Sequence, residues 1–323
     1  MQQSAFSKQY RTDFMHIARP GTLLFHALLA IILGVGVGVV GAQTITYGGW
    51  FALIPVLIVA WRGIRQPWQR WRTSHKPFPA TWRDWLDAHV PFYATLDTDG
   101  RVHFERDIQF FCAEQPFEGV DGVVVTDKLK LAVAAGAALM LHGRPGWELG
   151  TDRTILFYPA HFDEDYYETA YAKYDGMVHA QGPIIFSKAS VESDWAHPGT
   201  GHNVVIHELA HLFDMADAVA EGVPSLMDRS SAKAWGQLVR REMQHIRLGK
   251  SLLRRYAATK PAEFFAVAAE NFFDRPQQLY DHHPELFEAL TAFFNFDPRP
   301  AEAVVPVAEA EVEIQGNGTL HPD

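Results

Sequence analysis

The sequence is short of cysteine and, near its N-terminus, of negative charge. Cys112 is the only cysteine in 323 residues, which excludes an intramolecular disulfide and a cysteine-based metal cluster and fits a reducing compartment. No aspartate or glutamate occurs between Asp13 and Asp84. The chain as a whole has a formal net charge of −10, so we expect no nucleic-acid partner.

Charge of either sign is missing from Gly21–Ala42. As an α-helix this run would be about 33 Å long, enough to cross the hydrocarbon core of a membrane. A second, shorter apolar run covers Gly48–Trp61 and can be extended to Ile64. We predict a two-helix transmembrane hairpin over residues 21–64, with its turn at Gln43–Tyr47.

Basic residues predict the orientation of this hairpin. They flank it on both sides and are absent between the two runs: Lys8, Arg11 and Arg19 before it, and Arg62, Arg65, Arg70, Arg72 and Lys76 at and after its end. The positive-inside rule therefore places both termini, and the chain that follows the hairpin, in the cytoplasm. The alternative is a signal peptide cleaved after Val40-Gly41-Ala42. The apolar run is longer than a usual signal core, and the chain after residue 64 stays cytoplasmic in either case.

Composition predicts five segments: a cytoplasmic N-terminal segment (1–20), the hairpin (21–64), a basic juxtamembrane linker (65–80), a folded domain (81–298) and a disordered tail (299–323). Apolar spacing in the folded domain predicts helices at Trp82–His89, Val102–Phe111, Thr126–Leu141, Lys233–Leu248, Pro261–Phe273 and Pro284–Phe294. β-Branched and aromatic runs predict strands at Thr154–Tyr158 and Pro183–Phe186. The expected fold class is α+β, mostly helical.

The strongest chemical signal is the H-E-x-x-H motif of His207, Glu208 and His211, within Asn203–Asp214. Residues four apart lie on one face of a helix, so both imidazoles can bind one metal ion. Glu208 lies about 100° round the helix from His207, near enough to hold a water molecule without being a ligand. The competing interpretation is an amphipathic helix with two exposed histidines.

A catalytic zinc site usually has a third protein ligand. Asp217 is a poor choice, because a helix continuing through Asp214 would turn it away from His211. Glu270 is the better prediction: it lies mid-helix among alanine, phenylalanine and valine, where a carboxylate needs a partner such as a dication. Exposure of Glu270 to solvent is the alternative. Glu263, in the first turn of the same helix, either caps the helix or has a role in the site by supporting a metal ligand without binding the metal itself.

The chain resembles the Mlc titration factor A family of zinc-dependent peptidases over about Trp82 to Pro298. The matching stretches are Phe157-Tyr-Pro-Ala160, Gly182-Pro-Ile-Ile185, Asn203–His211 with Asp214, Gly222-Val-Pro224, and Tyr256–Val267 leading into Glu270 and Phe272-Phe273. The resemblance implies a gluzincin-type fold with one zinc ion on His207, His211 and Glu270, and an aminopeptidase-like activity. It also implies a regulatory link to the sugar-uptake repressor Mlc.

Three further residues follow from this comparison. Tyr256 matches a family position where a phenol can stabilise an oxyanion, with a buried core tyrosine as the equal alternative. Asp214 is a candidate acceptor for the second ring nitrogen of a ligating histidine, or a helix-surface aspartate. Glu168 stands where some members have a further histidine that covers the metal; solvated charge is the better interpretation of it.

Two functions remain open from the sequence. The first is a membrane-anchored zinc metallopeptidase that acts on a peptide or protein at the inner membrane. The second is a membrane-tethered protein that sequesters a cytoplasmic regulator, with zinc structural or vestigial. Both use the same predicted metal site, and they differ in whether Glu208 performs catalysis.

Overall fold

The computed structural model describes residues 20–44, 50, 53–144, 147, 149, 153–159, 176–178, 182–214 and 229–300. The predicted N-terminal segment and C-terminal tail, most of the turn Gln43–Tyr47, and the candidates Glu168 and Asp217 lie outside these residues.

Helices make up most of the described chain. They are α1 (Pro20–Thr44), α2 (Leu53–Ser74), α3 (Ala80–His89), α4 (Pro91–Thr95), α5 (Thr98–Glu114), α6 (Asp127–Leu141), α7 (Lys188–Ala196), α8 (Val204–Asp214), α9 (Arg229–Arg247), α10 (Pro261–Asp274), α11 (Pro276–His282) and α12 (Pro284–Phe294), with a 3₁₀ turn at Arg255–Ala258. The six helices predicted for the folded domain are all present, with ends that differ by a few residues. The fold is therefore mostly helical, as expected.

A small sheet accompanies the helices. Its strands are β1 (Phe117–Gly119), β2 (Ile155–Tyr158), β3 (Gly176–Val178) and β4 (Ile184–Ser187), in the order β1-β2-β4-β3. β1 and β4 both run parallel to β2, whereas β3 runs antiparallel to β4 at one edge. The strands predicted from sequence are β2 and β4; β1 and β3 have three residues each, too few to show a period.

The N-terminal helices only partly match the predicted hairpin. Among the described residues one stretch, Leu23–Gly41 in α1, is long and apolar enough to cross a membrane. A second such span is not supported, because α2, described from Leu53, carries four arginines from position 62 onwards. That helix continues to Ser74, so much of the predicted linker 65–80 is helical.

α2 connects this N-terminal pair to the rest of the protein. Its first half packs along α1, where a β-carbon placed on Gly63 would come within 2.9 Å of Cβ of His26. Its second half packs on α5, where Glu114 accepts hydrogen bonds from Arg70 (2.9 Å) and Gln66 (2.9 Å). α2 is therefore attached at both ends, to α1 and to the folded domain.

The core of the folded domain is built around α6, α8 and α10. α6 is buried along most of its length, from Leu129 to Met140. α8 approaches it closely at Gly136, where a β-carbon would come within 2.6 Å of Cγ1 of Val205. On its other side α8 packs against α10, which carries a run of fully buried residues from Phe264 to Ala269. This packing brings the H-E-x-x-H helix against the helix that carries both candidate glutamates.

Candidate metal centre

Asn203 determines where the H-E-x-x-H helix begins. Its side-chain oxygen accepts hydrogen bonds from the backbone N–H groups of Val205 (3.1 Å) and Ile206 (3.2 Å). An asparagine in this position caps the otherwise unpaired N–H groups at a helix start. The apolar residues of α8 are buried, so its two histidines lie inside the protein, 8% and 7% exposed at His207 and His211.

His207, His211 and Glu263 converge on one point. Nε2 of His207 lies 3.2 Å from Oε2 of Glu263, and Nε2 of His211 lies 3.5 Å from the same oxygen. One ligand atom from each of the three residues lies within 4.8 Å of the others. Two imidazole nitrogens and one carboxylate oxygen at this spacing match the three-ligand set of a catalytic zinc site.

Glu270 lies on the opposite side of the His207 ring from this point. Its Oε1 is 2.6 Å from Nδ1 of His207, and its side chain is fully buried. Both carboxylate oxygens are also bonded to the Arg254 guanidinium at 2.7 Å, and Oε2 accepts the backbone N–H of Asn203 at 2.9 Å. Glu270 thus has four hydrogen bonds from three residues and lies away from the two Nε2 atoms.

This placement corrects the ligand prediction. Glu263 and Glu270 are seven residues apart on α10, so both face α8, but they are about 10 Å apart along the helix axis. Only the earlier glutamate reaches the space between the two Nε2 atoms. Buried Glu270 is paired with the Arg254 guanidinium and with His207, and Glu263 is the glutamate that could complete a metal site with the two histidines.

The charges around His207 reinforce one another. Burial disfavours the imidazolium, but the Glu270 and Glu263 carboxylates outweigh it and raise the pKa of His207 to about 10. Burial likewise opposes ionisation of Glu263 and Glu270, and the neighbouring histidines, with Arg254 at Glu270, hold both of their pKa values below the usual range. Both carboxylates are therefore ionised at neutral pH. The two carboxylates face two positive charges, the His207 imidazolium and the Arg254 guanidinium, and a cation bound at Nε2 would replace the proton on that nitrogen.

Glu208 lies beside this cluster and against the edge strand of the sheet. It is 5% exposed, and burial raises the pKa of its carboxyl although His207 and His211 act against the shift. A β-carbon on Gly176 of β3 would come within 2.7 Å of Oε1 of Glu208. Glycine at position 176 therefore leaves the space that the Glu208 carboxylate fills.

The remaining predicted site residues have different placements. The Tyr256 ring, on the 3₁₀ turn, lies 6.1 Å from the His207 ring between centroids and is partly buried. Asp214 is completely buried rather than on the helix surface. It does not accept a hydrogen bond from His211, because Nδ1 of His211 is buried with no hydrogen-bond partner among the described residues. The predicted contact between Asp214 and His211 is therefore wrong.

Sequence reasoning missed Arg254 and Gly176. A signal for Arg254 was present: two glutamates share one face of α10, only one can be the third ligand, and the other then needs a cation. Arg254 and Arg255 directly precede Tyr256 in the sequence, so one of them was a candidate for that cation. Gly176 has no such signal, because it follows a charged run and begins a strand of three residues.

Comparison with known proteins supports a metal centre here. The family model for the glucose-regulated metallo-peptidase M90 matches residues 65–295. An uncharacterised protein of Synechocystis sp. is 32% identical over 255 residues, covering 72% of this chain and 90% of the relative. Proteins called Mlc titration factor A match shorter regions: that of Edwardsiella ictaluri is 35% identical over 131 residues (38% of this chain, 49% of the relative), and that of Serratia proteamaculans is 30% identical over 204 residues (55% and 73%).

Proposed function

Since this chain belongs to the glucose-regulated metallo-peptidase M90 family, we propose that it is a zinc-dependent metallopeptidase of gluzincin type, anchored to the inner membrane by its N-terminal helices. One observation carries the proposal: Nε2 of His207, Nε2 of His211 and a Glu263 oxygen share one small space, with the buried Glu208 carboxylate beside it. These are the donors that hold zinc, together with the acid–base residue that hydrolysis needs.

His207, His211 and Glu263 would hold the zinc ion. The fit rests on the chemistry of the donors and on Glu270, which occupies Nδ1 of His207 and so leaves the Nε2 lone pair for a metal. A bound zinc ion would polarise the scissile carbonyl and acidify a water molecule to a pKa of about 7. Zinc binding at Nε2 would require that nitrogen to lose its proton, so the metal would take over the positive charge that faces Glu263.

Glu208 would act as the general base and then as the general acid. Its carboxylate accepts a proton from the attacking water, and the carboxylic acid formed delivers that proton to the leaving amine. The raised pKa of Glu208 suits this exchange, since a carboxyl that is easier to protonate holds the proton between the two steps. Tyr256, beside His207, is proposed to donate a hydrogen bond to the oxygen of the carbonyl under attack.

The substrate would be a peptide or protein in the cytoplasm. The resemblance to Mlc titration factor A suggests aminopeptidase-like cleavage. Leu23–Gly41 in α1 is proposed to span the membrane, and the apolar first half of α2 to lie beside it as the second arm of a hairpin. Basic residues follow the apolar half of α2, so the folded domain is proposed to face the cytoplasm.

The direct test uses the full chain purified in detergent. We expect about one zinc ion per chain by elemental analysis, and cleavage of a peptide library that stops on chelation and returns with added zinc. Absence of zinc in protein prepared without chelator, or cleavage that persists after chelation, would overturn the proposal. Sodium carbonate extraction of membranes tests the anchor separately, since an anchored chain stays in the pellet.

A second candidate is a tethered regulatory protein. The name Mlc titration factor A, carried by several relatives, favours a role in binding a regulator. In that case zinc would be structural or vestigial, and partner binding would not depend on hydrolysis. Pull-downs from membranes with the wild type and with His207→Ala separate the two: a regulator captured equally by both, with no cleavage of any peptide, supports tethering over catalysis.

A further inference from the structure

Helix α2 is divided into an apolar half and a basic half. Leu53–Trp61 carries no charge, whereas the remainder contains four arginines and no acidic residue. Three of its tryptophans, Trp61, Trp68 and Trp71, are exposed. Tryptophan and arginine together at the end of an apolar helical stretch are typical of the headgroup region of a membrane.

Most of the basic side chains at this end are not neutralised by the protein. Arg70 pairs with Glu114 of α5. The cations at positions 62, 65, 72 and 76 form no ion pair with any residue in the described part of the chain; Arg72 lies over the Trp68 ring at 4.7 Å. These four cations, with Trp61 and Trp68, form one surface, which we call the basic ledge.

The packing of α2 on α1 gives the depth of the basic ledge. Gly63 contacts His26, three residues inside the start of the apolar stretch Leu23–Gly41. Buried Ala30 and Val59 continue the same antiparallel register one turn further along each helix. Arg62 and Arg65 therefore lie at the level where the apolar stretch of α1 begins, within about 5 Å along the axis. With α1 across a membrane, this is the level of the lipid phosphates.

Two adjoining clefts open on this surface. The larger has a volume of about 430 Å³, with Ile58 and Trp61 towards the apolar half of α2, and Arg62, Arg65 and Gln66 towards the basic half. Glu114 also lines it, but Arg70 and Gln66 bind that carboxylate. The second cleft, of about 320 Å³, shares Trp61 and Arg65 and adds Arg72 and Lys76. Each cleft thus joins an apolar wall to unpaired cations.

We propose that the basic ledge binds the headgroup of an anionic phospholipid, with the phosphate between Arg62 and Arg65 and the acyl chains along Ile58 and Trp61. Charge complementarity carries this assignment, since Glu114, the acidic residue that lines the larger cleft, is already bound by Arg70 and Gln66. A free phosphate ion would use only the cationic half of the cleft. The inference rests on the proposed membrane anchor and is independent of peptidase activity.

The test is native mass spectrometry of the full chain in detergent micelles. The protein is titrated with dioctanoyl phosphatidylglycerol, with dioctanoyl phosphatidylcholine, and with phosphatidylglycerol in excess inorganic phosphate. The variant is Arg62→Gln with Arg65→Gln; both side chains are exposed, so their loss leaves the packing of α2 intact. The matched control is Lys233→Gln with Arg240→Gln. Both positions are exposed cations on α9, and their substitution removes the same amount of charge.

We expect phosphatidylglycerol to bind at least 5-fold more tightly than phosphatidylcholine. Each cation removed should weaken phosphatidylglycerol binding by about 5-fold, so the double variant loses about 30-fold and the α9 control is unchanged. Equal binding of the two lipids, full binding by the variant, or an equal loss in the control would overturn the proposal. Displacement by inorganic phosphate would also overturn it, because the ligand would then be a free anion.

Failure of the anchor gives a different result from failure of this site. A chain released from membranes by carbonate contradicts the anchor whatever the mass spectra show. A chain that stays in the pellet but does not discriminate between the two lipids contradicts the basic ledge alone. Zinc content and peptide cleavage report on neither.

Discussion

Nδ1 of His207 donates a hydrogen bond to Glu270 over 2.6 Å, and Nε2 of the same ring faces Glu263 at 3.2 Å. The imidazole is thus held between two carboxylates from one helix. A carboxylate at Nδ1 keeps the proton on that nitrogen and directs the other lone pair at a metal. Glu270 in turn is held by Arg254, so these two side chains fix the orientation of the His207 ring, a candidate metal ligand.

Substitutions of Glu263 and of Glu270 should therefore reduce zinc binding to different extents. We expect Glu263→Gln to lose most of the bound zinc, since a carboxylate ligand is removed. Glu270→Gln keeps all three ligands and should weaken zinc binding by about 10- to 100-fold. Competition with a fluorescent chelator measures both. If Glu270→Gln lost zinc more completely than Glu263→Gln, the assignment of the third ligand would be reversed.

Glu208→Gln should separate zinc binding from catalysis. The amide occupies the same space against Gly176 and cannot accept the proton, so we expect zinc content to be unchanged and kcat to fall by about 10²- to 10⁴-fold. Elemental analysis and a peptide assay on the same preparation give the two values. A variant that cleaves peptides at the wild-type rate would contradict the general-base role.

Gly176→Ala, in the edge strand β3, should displace the Glu208 side chain. The new methyl group would meet Oε1 and Cγ of Glu208 within 2.7 and 2.4 Å, so the carboxylate has to move. We expect kcat to fall by about 10²-fold, as for other small displacements of a catalytic group, with zinc retained. Gly236→Ala on α9 is the control, because the nearest atom to its β-carbon is 3.9 Å away. Equal activity in both variants would show that Glu208 tolerates the shift.

Arg254→Met should destabilise the protein and loosen the zinc site. It leaves the fully buried Glu270 without its guanidinium partner, and loss of one member of a buried ion pair costs about 3–5 kcal/mol. Arg255→Met, at the exposed neighbouring position, is the matched control. Thermal unfolding with and without zinc provides the measurement. A normal Tm for Arg254→Met would mean that Glu270 is adequately held by His207 and Asn203 alone.

His142 should make the protein sensitive to acid. It is buried between the rings of Phe92 and Phe296, and burial lowers the pKa of its imidazole from 6.5 to about 3. The folded state thus binds this proton less readily than the unfolded chain, so the stability is complete above pH 6.5 and falls as the pH drops towards 3. Between pH 7.5 and pH 5 the loss is about 2 kcal/mol.

The measurement for His142 is the pH dependence of unfolding rather than stability at one pH. In His142→Leu the loss between pH 7.5 and pH 5 should shrink by that amount, whatever the leucine does to packing. His282→Leu, at an exposed position, should keep the wild-type dependence. The same dependence in all three proteins would mean that His142 is protonated in the folded state.

The sequence predicted the helices of the folded domain well because their apolar spacing is local. The recognised family is likewise confirmed by the match over residues 65–295. The choice between Glu263 and Glu270 was of another kind. Both lie on the same face of α10, and only the offset between α8 and α10 along their axes decides which reaches the two Nε2 atoms. Periodicity contains no information about that offset.

The second predicted span is not supported by the structure. Composition showed an apolar run up to Trp61, but the helix that contains it extends to Ser74 and carries arginine from position 62 onwards. An apolar run in the sequence shows where the apolar residues end. The helix itself ends where its backbone hydrogen bonds end. Helix boundaries and membrane boundaries therefore need not coincide.

The continuity of α2 bears on how the folded domain is carried. The 22 residues of α2 form one helix that contains both the contact with α1 at Gly63 and the Arg70–Glu114 pair with α5. A helical connection fixes the orientation of the folded domain relative to α1, whereas a glycine- or serine-rich linker would let the domain rotate freely. With α1 fixed in a bilayer, the candidate metal centre would keep a fixed distance and orientation relative to the lipid surface, so a partner would have to reach it there.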